Sequence, residues 1–319
     1  MKKNLILLLS ILALFSSCSK DNKTDTAVAG DTLSGEIQLS GAFALYPMVV
    51  KWVEEFRKLH PNVKIDVSGG GAGKGMTDVL SGVVDLGMVS REIYPEEEKK
   101  GAVGYAVVKD AVVPTVNSNN PEIANIRKIG LKKDIAEKLW SSRLTTWGQV
   151  LGSSSTVPVH VFTRSDACGA AETFAKWFDK KQENLKATAV YGDPGVSGAV
   201  QKDKVGIGYN NIAYAYDQNT KKPFENLAII PIDFNENGKI DPDEDFYQDS
   251  HSLTQAIIDG KYKSPLARDL YLVTKGKPTK PEVIAFLNFI LTDGQKYVSE
   301  AGYINLPGEK LNENADKIK

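Results

Sequence analysis

Cysteine and histidine are scarce in this chain. Its 319 residues contain Cys18 and Cys168, and His60, His160 and His251. With so few, neither a disulfide framework nor a Cys/His metal cluster can be assembled. No nucleophile, base and orienting acid fall into a recognisable catalytic pattern, and paired acids with metal-hydrolase spacing are also missing. An excess of positive charge is lacking too. The 39 basic residues, less Lys2 and Lys3 of the leader, leave 37 against 40 acidic ones, which argues against nucleic-acid binding. No apolar run approaches the roughly 20 residues that cross a bilayer. No internal repeat is visible, and no GxxxxGK[ST] phosphate loop occurs.

The N-terminus is a leader rather than part of the fold. Lys2 and Lys3 precede an apolar run from Leu5 to Phe15, and Ser16-Ser17-Cys18 follows. The Phe-Ser-Ser-Cys ending resembles a bacterial lipobox, which implies cleavage after residue 17 and lipidation of Cys18. Residues 18–35 are polar and aperiodic, a tether. The remaining folded chain exceeds what one core usually holds, so two lobes are expected.

From Glu36 the chain alternates strand-like and helical patterns. Ile37–Leu39 reads as a strand and Ser40–Phe43 as a turn. Met48–Leu59 has helical period at positions 49, 52, 53, 56 and 59. Val63–Val67 is a strand, Met76–Val83 a helix and Val84–Val89 a buried strand. This alternation indicates a parallel α/β layer. Tyr105–Val116 is a long β-branched run, interrupted by Pro114, with the length to cross between lobes. Helices are expected over Ile135–Trp140, Ala170–Phe178 and Pro281–Leu291, and strands over Val157–Phe162, Val205–Tyr209 and Leu270–Val273. The tryptophans read as packing residues, and Asp85 as a turn-binding carboxylate.

The Ser68–Gly75 segment, SGGGAGKG, places four glycines, Gly69, Gly70, Gly71 and Gly73, between a strand and a helix, with Gly75 following. Backbone N–H groups at such a junction converge near the positive end of the helix dipole and suit an anion.

Seven segments in order, SGAFALYP, SGGGAGKG with DLGMVSRE, SSRLTTWGQV, VHVFTRSDACGAAETF, VGIGYNNIAYA, LYLVTKGKP and FLNFILTDGQKYVSEAGYINLP, together resemble PstS-type phosphate-binding proteins. These belong to the type II periplasmic binding proteins. The resemblance spans Ile37 to Pro307. It implies an α/β, two-lobed fold with the ligand cleft between lobes and two hinge crossovers. Lobe I would comprise 36–112 and 268–319, and lobe II 113–267. The ligand, phosphate or a related oxyanion, would be held by Ala42, Phe43 and Ala44; by Gly71 and Ala72 with Ser90 and Arg91; and by Arg164 with Cys168, Gly169 and Ala170. The protein would be a monomeric, lipid-anchored component of the cell envelope, on the periplasmic or outer-surface face. It would deliver solute to an ABC permease without doing chemistry on it.

The family's usual loop hydroxyls are replaced here by Ala42, Phe43, Ala44, Ala72, Cys168 and Ala170. Lys74, Arg91 or Ser90 is expected to compensate. The departures also leave open a surface interaction or sensory protein on the same scaffold. Cys168, at a helix start near Arg164, would have a lowered pKa as a nucleophile. The plainer reading is a small loop residue in place of serine.

One further motif stands apart from the resemblance. Residues 233–244 fit the twelve-residue calcium loop. Side-chain oxygens come from Asp233, Asn235, Asn237, Asp241 and Glu244, a backbone carbonyl from Lys239, and the sharp turn from Gly238. A structural Ca2+ is expected, in an EF-hand-like loop without a flanking helix pair.

Overall fold

The structure, a computed structural model, describes residues 33–319. The leader, Cys18 and most of the tether lie outside the described residues. Nine strands form one continuous, path-like sheet: β1 (Gly35–Ala42), β2 (Val63–Gly70), β3 (Leu86–Val89), β4 (Ala102–Asn117), β5 (His160–Arg164), β6 (Thr188–Val190), β7 (Gly206–Asn211), β8 (Leu227–Ile229) and β9 (Ala267–Lys275). Their order is β2-β1-β3-β9-β4-β7-β5-β6, with β8 attached to β4. At one end β1 pairs in parallel with β2 and β3, and at the other β5 pairs in parallel with β6 and β7. The strands between them, β9 and β4, are antiparallel to their neighbours.

This topology separates two hydrophobic cores. One is built from residues between Ile37 and Val108 together with Leu270 to Ile318. The other runs from Ala111 to Leu266 and adds Ile304. Strand β4 belongs to both. Residues Ala102 to Ala111 pair with β9, with a register shift between Ala106 and Val108, and Val112 to Asn117 pair with β7 and β8. The two crossovers between lobes are therefore β4 and the start of β9. Pro114 does not interrupt β4; it sits opposite Tyr209, and its carbonyl accepts the Ile230 N–H at 3.0 Å.

The helical periodicity of the first lobe is realised in Tyr46–Leu59, which buries Val49, Trp52, Val53 and Phe56. Leu59, counted on the same stripe, falls at the frayed end and is exposed. The next helix, Ala72–Ser81, starts four residues before the expected Met76. Glycine lowers helix propensity there, but Ala72, Gly75 and Met76 are buried, and packing overrides propensity. Strand β1 likewise continues through the expected turn to Ala42. Helix Pro281–Leu291 matches its expected span. The indole N–H groups of Trp52, Trp140 and Trp147 donate to the carbonyls of Gly294, Phe162 and Val205, so these rings are packing anchors. Asp85 accepts the Gln38 N–H at 3.0 Å, the structural role expected of it. Among the described residues no helix is long and apolar enough to cross a membrane.

Candidate functional site

Three strand-to-helix junctions meet where the lobes face each other. The first follows β1: Ala42 and Ala44 are buried, and Phe43 lies between them. Its ring packs edge-on against Tyr191 and Tyr214 of the other lobe, with centroids 5.9 and 6.5 Å away. The Tyr214 hydroxyl donates to the Phe43 carbonyl at 3.1 Å. The second junction joins β2 to helix Ala72–Ser81 through Gly71. The third joins β5 to helix Gly169–Trp177, whose first turn is capped by Cys168; its sulfur accepts the Ala171 N–H at 3.3 Å.

The second and third junctions touch across the cleft. The Gly73 N–H donates to the Ala167 carbonyl at 3.2 Å. A Cβ on Gly71 would lie 2.1 Å from that same carbonyl oxygen, and one on Gly169 would lie 2.1 Å from the Ser90 carbonyl oxygen. Only glycine permits this approach, so the lobes are closed. Two helix N-termini, at Ala72 and Gly169, face the junction with their dipoles.

Arg164 ends β5 and is 5% exposed. Its Nε and Nη2 donate to the two oxygens of Asp166 at 2.8 and 2.5 Å, and its Nη1 donates to Asp193. These bonds occupy the sides of the guanidinium and leave its end-on edge, one N–H on each terminal nitrogen. Burial works against the charge of Arg164, but Asp193 and Asp166 outweigh it and hold the guanidinium firmly protonated. Burial likewise pushes Asp166 upward, yet the bonds from Arg164 keep that carboxyl below the usual range. Asp193 also accepts from the Asn211 side-chain amide at 2.7 Å. The Asn211 side-chain oxygen Oδ1 accepts from Arg268 at 2.5 Å, and Arg268 donates again to the Ser90 backbone carbonyl at 2.9 Å. A continuous buried chain, Arg164–Asp193–Asn211–Arg268–Ser90, thus runs from the cleft to the crossover.

The cations expected to compensate for missing hydroxyls are otherwise engaged. Arg91 donates to Glu97 at 2.6 and 2.8 Å and to the Glu92 carbonyl at 2.8 Å; its Nε lies 3.4 Å from Glu172 of the other lobe. It also stacks 4.1 Å from the centroid of the Tyr94 ring. Lys74 pairs with Asp78 one helical turn on. Ser90 remains in place, buried against Gly169. Cys168 has the opposite character to an activated thiol. Burial pushes its pKa up to about 12 despite nearby Arg164, because a thiolate there would be desolvated. Asp166, Asp193, Asn211, Tyr214 and Arg268 were not singled out from the sequence. The Arg-x-Asp spacing of 164 and 166 was a usable signal for the first. Asp193, in the turn-like Gly192-Asp-Pro-Gly, carried none.

The loop 233–244 is curled on itself. Both Asp233 oxygens accept backbone N–H groups, from Asn237 at 3.2 Å and Gly238 at 2.7 Å. Glu244 reaches back to the N–H groups of Phe234 and Asn235 at 2.9 and 3.1 Å. The amides of Asn235 and Asn237 donate to Asp241 at 3.0 and 2.7 Å, which leaves their carbonyl oxygens facing the Asn237 and Lys239 N–H groups. Asp233 and Glu244 are buried, with their oxygens turned to the backbone N–H groups of the loop. Among the described residues no group of three or more His, Cys, Asp and Glu side chains is gathered as a metal set. A calcium set here would depend on the asparagine oxygens and the Lys239 carbonyl as well.

The family model for the PBP superfamily domain matches residues 26–294. The phosphate-binding protein PstS of Staphylococcus epidermidis is 27% identical over 298 residues, covering 91% of this chain and 85% of its own. Protein SphX of Synechococcus elongatus is 28% identical, over 86% of this chain and 78% of its own. Among solved structures, a putative phosphate ABC transporter substrate-binding protein from Clostridium perfringens, with bound phosphate, superposes with a TM-score of 0.71. It is 22% identical and covers 86% of this chain and all of its own. An ABC-type phosphate transport receptor from Vibrio cholerae gives a TM-score of 0.61 at 19% identity, with 85% of this chain and all of its own covered. These structural likenesses show a shared two-lobed α/β fold and, with the family match, are consistent with the type II periplasmic binding fold.

Proposed function

The chain belongs to the PBP superfamily domain family, and we propose that it is the extracytoplasmic solute-binding component of an ABC transporter, taking phosphate or a related tetrahedral oxyanion between its lobes. One observation carries this reading. Arg164 is fixed on both sides by Asp166 and Asp193, so its end-on edge is held in one orientation beside two helix N-termini. Paired N–H groups in a planar fork match two oxygens of a tetrahedral anion. The backbone amides at Ala72, Gly169 and Ala170 supply the remaining donors, in place of the absent hydroxyls. The names of the relatives support phosphate as the ligand. No covalent step is performed; binding closes the lobes, and the closed surface is what a permease recognises.

Cys18 carries the lipid that holds the protein at the envelope surface in this proposal, and the loop 233–244 holds a structural Ca2+. The buried Asp233 and Glu244 and the asparagine-lined curl support the second of these.

Isothermal titration with phosphate, arsenate, sulfate and molybdate is the direct test. Saturable binding of phosphate that is lost in Arg164→Met supports the reading. Heat from none of the four anions overturns it in favour of a scaffold whose cleft serves surface interaction or sensing.

A further inference from the structure

The crossover holds a buried carboxylate and a largely buried guanidinium that do not themselves face the anion site. Asp110 on β4 and Arg268 on β9 are directly opposed partners in the antiparallel ladder, at the place where the chain passes from one core to the other. Asp110 is 1% exposed and makes no side-chain hydrogen bond; only the backbone N–H groups of Ala111 and Ile212 approach its carboxylate, outside good hydrogen-bond geometry. The nearest guanidinium nitrogen, Nη1 of Arg268, is 3.8 Å away and is itself unpartnered. Two such opposite charges this close, yet not bonded, require a reason, because each unmet group is costly. The other nitrogens of Arg268 supply one. They reach past Asp110 to the Ser90 carbonyl in one lobe and to Asn211 in the other.

We propose that Arg268 is a positioning residue with two alternative sets of partners: Ser90 and Asn211 when the lobes are closed, and Asp110 when they open. Opening separates Ser90 from Asn211, so one side chain cannot hold both. The neighbouring carboxylate then receives the guanidinium. On closure Arg268 leaves Asp110 and fixes Asn211, which through Asp193 orients Arg164 for the ligand. Asp110 thereby stabilises the open form and opposes binding. The charged and titratable groups around it are Arg268, Asp193, Tyr214, Tyr262 and Tyr303. Burial raises the Asp110 pKa to about 7 in this closed form, although Arg268, near but not hydrogen-bonded, draws it down. The inference rests on the cleft reading above but not on phosphate being the occupant.

The test is an interlobe dye pair, read by single-molecule energy transfer without ligand, in the full chain and in Asp110→Asn. The expected result is a closed fraction in D110N raised by at least about fivefold. Acidification from pH 8 to pH 5 should raise the closed fraction of the parent chain and leave D110N flat. An unchanged or more open D110N, with a circular-dichroism melt showing it folded, overturns the proposal. So does an equal pH response in both. Phosphate titrations on the same samples separate the two readings. Closure in D110N with no phosphate response defeats phosphate as the ligand and leaves the switch standing. Where phosphate binds, D110N should bind it more tightly through a slower release rate, a change of sign that mere structural damage would not give.

Discussion

The Gly73 N–H and the Ala167 carbonyl are 3.2 Å apart, a main-chain hydrogen bond that spans the cleft and joins the two lobes. It exists because neither Gly71 nor Gly169 places a methyl group in the gap. Closure in this protein is thus set by backbone-to-backbone contact, with side chains arranged around it.

A methyl group at either glycine should therefore hold the lobes apart. Gly71→Ala and Gly169→Ala, whose Cβ atoms would lie 2.1 Å from carbonyl oxygens, are expected to weaken anion binding by more than about tenfold. The thermal midpoint of the unliganded protein should change little, since each lobe keeps its own core. Titration calorimetry and thermal unfolding, run side by side, distinguish this from general destabilisation.

Arg164 is a structural residue as well as the proposed ligand-binding one. Arg164→Met leaves Asp166 and Asp193 without their cation. Removing one member of a buried ion pair costs about 3–5 kcal/mol. Urea denaturation should show a loss of this order at neutral pH together with abolished binding. Arg164→Lys should recover part of the stability and little of the affinity, because an ammonium cannot serve both carboxylates and a ligand edge.

The buried Asp110 makes stability depend on pH with a definite sign. Its carboxyl ordinarily titrates near 3.8 and in the fold near 7. A raised pKa means that the folded protein binds a proton the unfolded chain releases. The associated stability is fully present below about pH 4 and is lost as pH rises through about 7. Asp110→Asn should stabilise the protein at pH 8 by on the order of a few kcal/mol. That gain should shrink through pH 7 to 4 and vanish below. A gain that is constant from pH 4 to pH 8 would be incompatible with a titrating carboxyl.

Restoring hydroxyls should tighten binding. Cys168 already accepts the Ala171 N–H as a helix cap, so serine fits its position, and Ala170 adjoins it. A hydrogen bond to a charged ligand contributes about 1.5–3 kcal/mol. Cys168→Ser with Ala170→Thr is expected to lower the phosphate dissociation constant by at least about tenfold. The free parent protein should also react slowly with iodoacetamide at pH 8, since its thiol is buried and its pKa pushed up to about 12.

For the loop 233–244, adding a chelator should lower the thermal midpoint, and calcium should restore it. An ion present at 100 times its dissociation constant stabilises by about 2.7 kcal/mol. Asp241→Asn is the informative variant, because Asp241 is partly exposed and contacts only loop residues. It should fold and lose most of the calcium response. An equal midpoint with and without chelator in the parent chain would remove the metal.

The order of strands and helices, the long β4 and the glycine-rich junction after β2 were readable from local pattern, whereas the other two junctions were placed by the family resemblance. Each depends on apolar period and on glycine at turns, properties of a few consecutive residues. Arg164 was visible as a fork beside a helix start. Several elements were not. Helix Gly192–Lys202 opens on Gly-Asp-Pro-Gly, which reads as a turn, and Gly308–Asp316 is too polar to announce itself. They are helical because they pack, against β7 and β4 in one case and against β4 and helix Pro281–Leu291 in the other.

Sequence alone thus determined the secondary-structure alternation, the family and the loss of loop hydroxyls, because these reside in side-chain identity and spacing. Which charges meet was decided by the tertiary structure. Arg91 and Lys74 turned to local carboxylates, while Arg164 was joined to Asp193, 29 residues away, and Arg268 to Ser90, 178 residues away. Pairing of that kind depends on where the crossovers bring distant segments together, and on burial, which forces each charge to find whichever partner lies within reach.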